Sequence, residues 1–150
     1  MTSTLARLAS GAPSRCFALA GAGAGDVGPW LRLDPSVAIV DSPRAADVLL
    51  VLGRLEGEML HAAAAVHDAM PPPRGVVVWS PDGWSSRRRP FVDAVTVRDA
   101  SEIAPACRRL RDDLFRRRLA SSPDALHRRS IQTYDSGSSS NSSLQSMLQK

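Results

Sequence analysis

The chain has 150 residues, 43% of them hydrophobic and 23% charged, with a formal net charge of +4. That is enough for one domain around one core and not comfortably enough for two. Its apolar stretches, such as residues 45–53 interrupted by Asp47, fall well short of the roughly 20 residues of a membrane span.

Two cysteines, Cys16 and Cys107, do not make a disulfide framework, and there is no secretory apolar segment, so a reducing compartment is expected. Residues 1–25 hold Arg7 and Arg15, many Ser and Ala, and no acid. This suits an organelle transit peptide as well as an ordinary bacterial start in an arginine-rich protein whose one lysine is Lys150. Charge is divided unevenly. Residues 1–85 carry six basic residues against eight acids, and residues 86–150 carry thirteen against seven. The arginines cluster at 87–89, 108–109, 116–118 and 128–129, runs able to meet nucleic acid, an anionic membrane or an acidic protein. For 108–118 a solvated helix face is the plainer account. Aromatic residues are not interleaved with the runs, so no base-stacking platform is expected.

In chain order, residues 15–20 form a short apolar run read as a first strand, followed by a loop over 21–29. Residues 37–40 are β-branched and apolar, a second strand. Asp41-Ser42-Pro43 marks a turn in which Ser or Asp can cap a brief helical turn opened by Pro43. Residues 46–53 are almost continuously apolar, as a strand buried on both faces should be. Residues 56–70 predict a helix, with acids in the first turn, four consecutive alanines and a stop at Pro71-Pro72-Pro73. A strand over 75–79, a turn at Pro81-Asp82-Gly83 and a strand over 92–97 follow. From Ser101 a helix places Ile103, Cys107, Leu110 and Leu114 on one face, with Pro105 in its first turn. A short further helix reaches about Arg129, and residues 136–143, nearly all Ser, read as a flexible tail. Strands alternating with helices imply a flavodoxin-like, doubly wound parallel sheet in a three-layer α/β sandwich. The expected organisation is a flexible or targeting segment over 1–14, the α/β domain over 15–120, and a basic, Ser-rich extension over 121–150.

Candidate chemistry is sparse. Gly23-Ala24-Gly25-Asp26-Val27-Gly28 fits the dinucleotide pattern G-x-G-x-x-G, with Asp41 at the end of the next strand where a ribose-binding acid would sit. Only eight residues separate Gly28 from Val37, among them Pro29 and Pro35. A helix long enough to present its N-terminus to a pyrophosphate does not fit there. A Gly/Ala turn is the better account. His61 and His67 are six apart, so they point to different faces of their helix and cannot clamp a metal. His127 has no acidic or sulfur neighbour in sequence. Cys107 reads as a small packed hydrophobe, and Cys16 has no motif that would activate it. No catalytic, cofactor-binding or metal-binding residues are assigned.

One segment carries family information. Ser42-Pro43-Arg44-Ala45-Ala46-Asp47-Val48-Leu49-Leu50-Val51-Leu52-Gly53-Arg54-Leu55 continues through Met59, Val66, Asp68, Met70-Pro71, Pro73-Arg74 and Val76-Val77. This resembles the small cluster-bearing subunit of respiratory complex I, the NADH:quinone oxidoreductase, a family related to the small subunit of nickel–iron hydrogenases. The match is gap-free over about forty residues. It implies a strand ending in Gly, a helix closing on Met-Pro, and a second strand. The family holds a [4Fe–4S] cluster through a tandem cysteine pair, a cysteine in the loop after the second strand, and a Cys-Pro near the last helix. Here these positions fall at Arg15-Cys16, in 80–83 and near 98–101, which retain one cysteine. Such a cluster takes four thiolates, so no cofactor is expected.

The resemblance therefore implies a cluster-free, non-catalytic scaffold or accessory subunit of a complex I-type or hydrogenase-type respiratory oxidoreductase. Its partners would be larger subunits of that membrane-associated complex. It would lie peripheral to the membrane, on the mitochondrial matrix side of the inner membrane or in the bacterial cytoplasm. The docking face would comprise Cys16, Asp82, Gly83 and the neighbourhood of Asp99, with Arg87, Arg88 and Arg89 beside it meeting an acidic partner surface. Two other readings stay open: a nucleotide-using enzyme, and a basic module contacting anionic lipid, nucleic acid or an acidic protein.

Overall fold

The computed structural model describes residues 11–83, 91 and 93–121. Arg87, Arg88, Arg89, Val92, His127, Arg128, Arg129 and the Ser-rich tail lie outside the described residues, so the readings placed on them are not addressed by the fold. The chain divides into two units, residues 1–115 and 116–150.

Among the described residues, five strands form one all-parallel sheet: β1 (Ser14–Ala20), β2 (Val37–Ile39), β3 (Val48–Leu52), β4 (Gly75–Trp79) and β5 (Val95–Val97). Their spatial order is β2-β1-β3-β4-β5, that of the flavodoxin-like doubly wound fold. Three helices accompany them: α1 (Val27–Leu31), α2 (Glu58–Ala69) and α3 (Ile103–Ala120). The second unit is described only over 116–121, where it continues α3; there the Ser121 hydroxyl donates to the Arg117 carbonyl at 2.9 Å.

β3 is the centre of the fold. All five of its residues are buried, because its side chains alternate between two cores. On one face Val48, Leu50 and Leu52 join Cys16, Val77, Trp79 and Val97 beneath residues of α1 and α3. On the other, Leu49 and Val51 join Val76, Val78, Ala63 and Met70, with Leu60 and Val66 of α2 packed against them. A continuous apolar run is what a strand covered on both faces requires. Ser42 caps the 3-10 turn Pro43–Ala45 as its sequence suggests, its hydroxyl accepting from the Arg44 amide at 3.3 Å.

Several boundaries differ from expectation: β3 covers Val48–Leu52 of the expected 46–53, β5 only Val95–Val97 of the expected 92–97, and α3 begins at Ile103, after a 3-10 turn, rather than at Ser101. The loop read over 21–29 contains the start of α1. Gly28 and Pro29 are poor helix formers, but this turn is held by Leu31, which is fully buried. Pro29 sits in the first turn, where no intrahelical N–H is needed. α2 begins at Glu58 rather than 56, since Gly57 adopts φ +54 and ends the preceding loop.

Candidate functional site

In an open parallel sheet, ligands bind beyond the carboxyl ends of the strands, in the crevice where the strand order reverses. Here that switch point lies between β1 and β3. The β1 residues 16–20 stand level with Val48–Leu52 of β3, so the loops leaving Ala20 and Leu52 emerge side by side. They are joined by main chain. The Gly21 amide donates to the Leu52 carbonyl at 2.8 Å, the Ala22 amide to Arg54 at 2.9 Å, and the Arg54 amide to Ala22 at 2.8 Å.

Two glycines permit this closeness. A Cβ on Gly21 would stand 2.3 Å from the Arg54 oxygen, and one on Gly53, whose φ is +77, would stand 2.4 Å from the Ala22 oxygen. Gly23 and Gly25 also have positive φ but face open space. The pattern Gly23–Gly28 thus lies beside this bridge rather than in it, its first two glycines serving turns at positive φ. The helix behind it, α1, is five residues long, and its Asp26 cap makes no side-chain hydrogen bond. This geometry supports the reading as a turn over the one as a nucleotide cradle.

Elsewhere along this edge the groups are short-range partners. Arg54 pairs with Glu56 at 2.7 Å, both largely exposed. The Trp79 indole donates to the Arg98 carbonyl at 3.1 Å, and the Gly83 amide donates to the Ser80 carbonyl, closing the turn after β4. Asp99 accepts from the Ser101 amide and hydroxyl, both at 2.8 Å. The Ser101 amide, then its hydroxyl, hold the Asp99 carboxyl below the usual range. These contacts begin the 3-10 turn before α3. Asp82 is exposed.

The opposite, amino edge holds the remaining chemistry. The Arg15 guanidinium forks onto Asp47, with Nε to Oδ2 at 3.0 Å and Nη2 to Oδ1 at 2.8 Å. Cys16, the next residue, points to the other side of β1 and is fully buried with Cys107 of α3. The hydrogen bond with Cys107, then burial, push the Cys16 thiol well above its ordinary range. Ser14, on the same side, has a buried hydroxyl without a hydrogen-bond partner among the described residues.

This corrects the expected docking face. Cys16 shares a row with Val48 and Gly75, at the beginning of β3 and β4. Asp82 and Gly83 follow the far end of β4. The four rows between Cys16 and Ala20 span roughly 13 Å at strand rise. Cys16 therefore cannot share a surface with Asp82, Gly83 and Asp99. Adjacent strand residues also point to opposite faces, so positions 15 and 16 could not converge on one ligand as a tandem pair in a loop does.

The histidines lie apart. His61 is exposed, and His67 is partly buried on α2, its ring tilted against Phe91 at 5.3 Å between centroids. Among the described residues, no group of three or more His, Cys, Asp or Glu could hold a metal ion. No described helix is long and apolar enough to cross a membrane. Sequence reasoning missed that Cys16 and Cys107 share one core. Only the apolar periodicity that places Cys107 on the inner face of α3 hinted at it. Compared with known proteins, the chain matches no family model, and a search of curated proteins finds no match.

Proposed function

We propose that this chain is a cluster-free accessory or scaffold subunit of a complex I-type or hydrogenase-type oxidoreductase. One observation carries the reading. The segment of resemblance, residues 42–77, coincides with a single structural unit: the capped turn at Pro43–Ala45, β3, α2 and the start of β4. Each resembling feature has a physical task there. Asp47 anchors Arg15 at the entry to β3, Gly53 turns the chain at positive φ, and the prolines after Met70 stop α2 so the chain re-enters the sheet. The main-chain bridge across the switch point further supports a role without a nucleotide. With two cysteines in the whole chain, four thiolates for a [4Fe–4S] cluster are not available from it. What the subunit offers its complex is surface, with Arg87, Arg88 and Arg89 as the proposed contact to an acidic partner.

The test is genetic. Deleting the chain in its native host should lower the amount of assembled oxidoreductase while leaving the remaining subunits' iron–sulfur signals per complex unchanged. Unaltered assembly and quinone- or hydrogen-linked activity in the deletion strain would overturn the proposal.

A further inference from the structure

We propose that Cys16 and Cys107 form an oxidisable dithiol, a modification site where a disulfide can join β1 to α3 inside the folded domain. The inference goes beyond the role proposed above and does not depend on it.

The placement follows from three contacts. Cys16 lies in the row of Val48 and Gly75, its side chain in the core beneath α3. Over that row α3 comes down closely: a Cβ on Gly75 would stand 2.6 Å from Cδ2 of Leu110. One residue further, the Arg111 guanidinium donates to the Ala12 carbonyl just before β1. Cys107 stands three and four residues before Leu110 and Arg111, on the same side of the helix one turn earlier. It is therefore delivered onto β1, and both cysteines are fully buried in one core. Cys107 is the largest influence on the Cys16 thiol, and Cys16 Sγ donates to the Ser14 carbonyl oxygen at 3.5 Å.

The surroundings decide how the site behaves. The Cys16 thiol is held protonated by its neighbour Cys107 and by burial, and a protonated thiol is a poor nucleophile. Oxidation therefore waits on openings that lift α3 from the sheet, and it is slow in the closed domain. With a disulfide such as oxidised glutathione as oxidant, one cysteine thiolate attacks and a first glutathione leaves as thiol. The second cysteine thiolate then attacks the protein sulfur of the mixed disulfide, and a second glutathione leaves. Two thiols lose two protons and two electrons, and one glutathione disulfide becomes two thiols. The product ties the first strand to the last described helix and closes a loop across most of the domain, where a cross-link constrains the unfolded chain most.

The experiment uses the full chain, reduced, then incubated with oxidised glutathione at about pH 8. Low urea is included at a level that leaves the fold intact. The chain is afterwards alkylated under denaturing conditions and weighed. The expected product is a monomer about 2 Da lighter with no alkylatable thiol, restored by dithiothreitol. Its thermal midpoint should lie higher by about 5 °C or more. Three results would overturn the proposal: both thiols still alkylated, a glutathione adduct or cross-linked dimer as end product, or a cross-linked monomer that melts below the reduced one. Cys16→Ser and Cys107→Ser should each stop at the single glutathione adduct. Should either variant fail to fold, the mass and midpoint of the wild-type chain decide alone.

Discussion

Ala22 and Arg54 face each other across the carboxyl edge of the sheet and exchange both backbone hydrogen bonds, at 2.9 and 2.8 Å. The bridge ties the loop after β1 to the loop after β3 where this class of fold usually opens a crevice. It predicts a sharp contrast among glycines. Gly53→Ala would force a Cβ into the Ala22 carbonyl at a positive φ, and Gly21→Ala would force one into the Arg54 carbonyl. Each should cost about 3 kcal/mol or more, as overpacking against backbone does. Gly23→Ala, at φ +80 in open space, should cost only about 1 kcal/mol. Urea unfolding of the three variants checks this, and equal losses would mean the bridge is not rigid.

Leu50 tests the central strand. It is fully buried between β1 and β4. Leu50→Ala should lose about 3 kcal/mol, and Leu50→Asp should abolish the soluble fold because an unpaired carboxylate cannot be accommodated there. Thr96→Asp, on the exposed side of edge strand β5, should change stability by about 0.5 kcal/mol or less. Soluble, folded Leu50→Asp would contradict the strand's position.

Local sequence carried much of this fold and little of its long-range chemistry. β4 falls on the residues expected because Gly75 and Trp79 bound an apolar run with turn residues beyond it. β3 and α2 were legible for similar reasons: burial on both faces leaves a run of Val and Leu, and three prolines leave a helix nowhere to go. α1 was not legible, since Gly28 and Pro29 depress local helix preference and the burial of Leu31 outweighs them. Cys16 and Cys107, ninety-one positions apart, share one core only because α3 packs on the sheet. The same holds for the Ala22–Arg54 bridge, whose loops carry no mark of each other.

The Arg15–Asp47 fork is bidentate but more than half exposed on the arginine side. The Asp47 hydrogen bond first, then its charge, raise the Arg15 pKa. Solvent screens such a pair, so Asp47→Asn should cost only about 0.5–1 kcal/mol, and the difference from wild type should shrink in about 1 M salt. A loss of several kcal/mol would show that Asp47 acts through β3 rather than through Arg15.

His67 and Asp34 predict two pH windows. Burial first, then the charge of Arg74, lower the His67 pKa from its ordinary 6.5, with Asp68 opposing. Below 6.5 the unfolded chain then binds more protons than the folded one, so stability falls as pH drops through the folded pKa. Asp34 behaves as a carboxylate with a lowered pKa, the Ser36 hydroxyl and then its amide being the main causes. Its contribution is present above the ordinary 3.8 and is lost as pH falls further. Unfolding followed from pH about 7 to 3 should show both declines, and His67→Gln should remove the upper one alone. A His67→Gln profile superimposing on wild type would place the upper decline elsewhere.

The central claim, that the chain serves an oxidoreductase complex through its surface, is tested most directly by cross-linking mass spectrometry on the tagged protein drawn from its native membranes. The account predicts stoichiometric recovery with a larger subunit of complex I or hydrogenase type, and cross-links that fail to form when Arg87, Arg88 and Arg89 are all changed to Ser. Recovery of the chain free of any oxidoreductase subunit would contradict it.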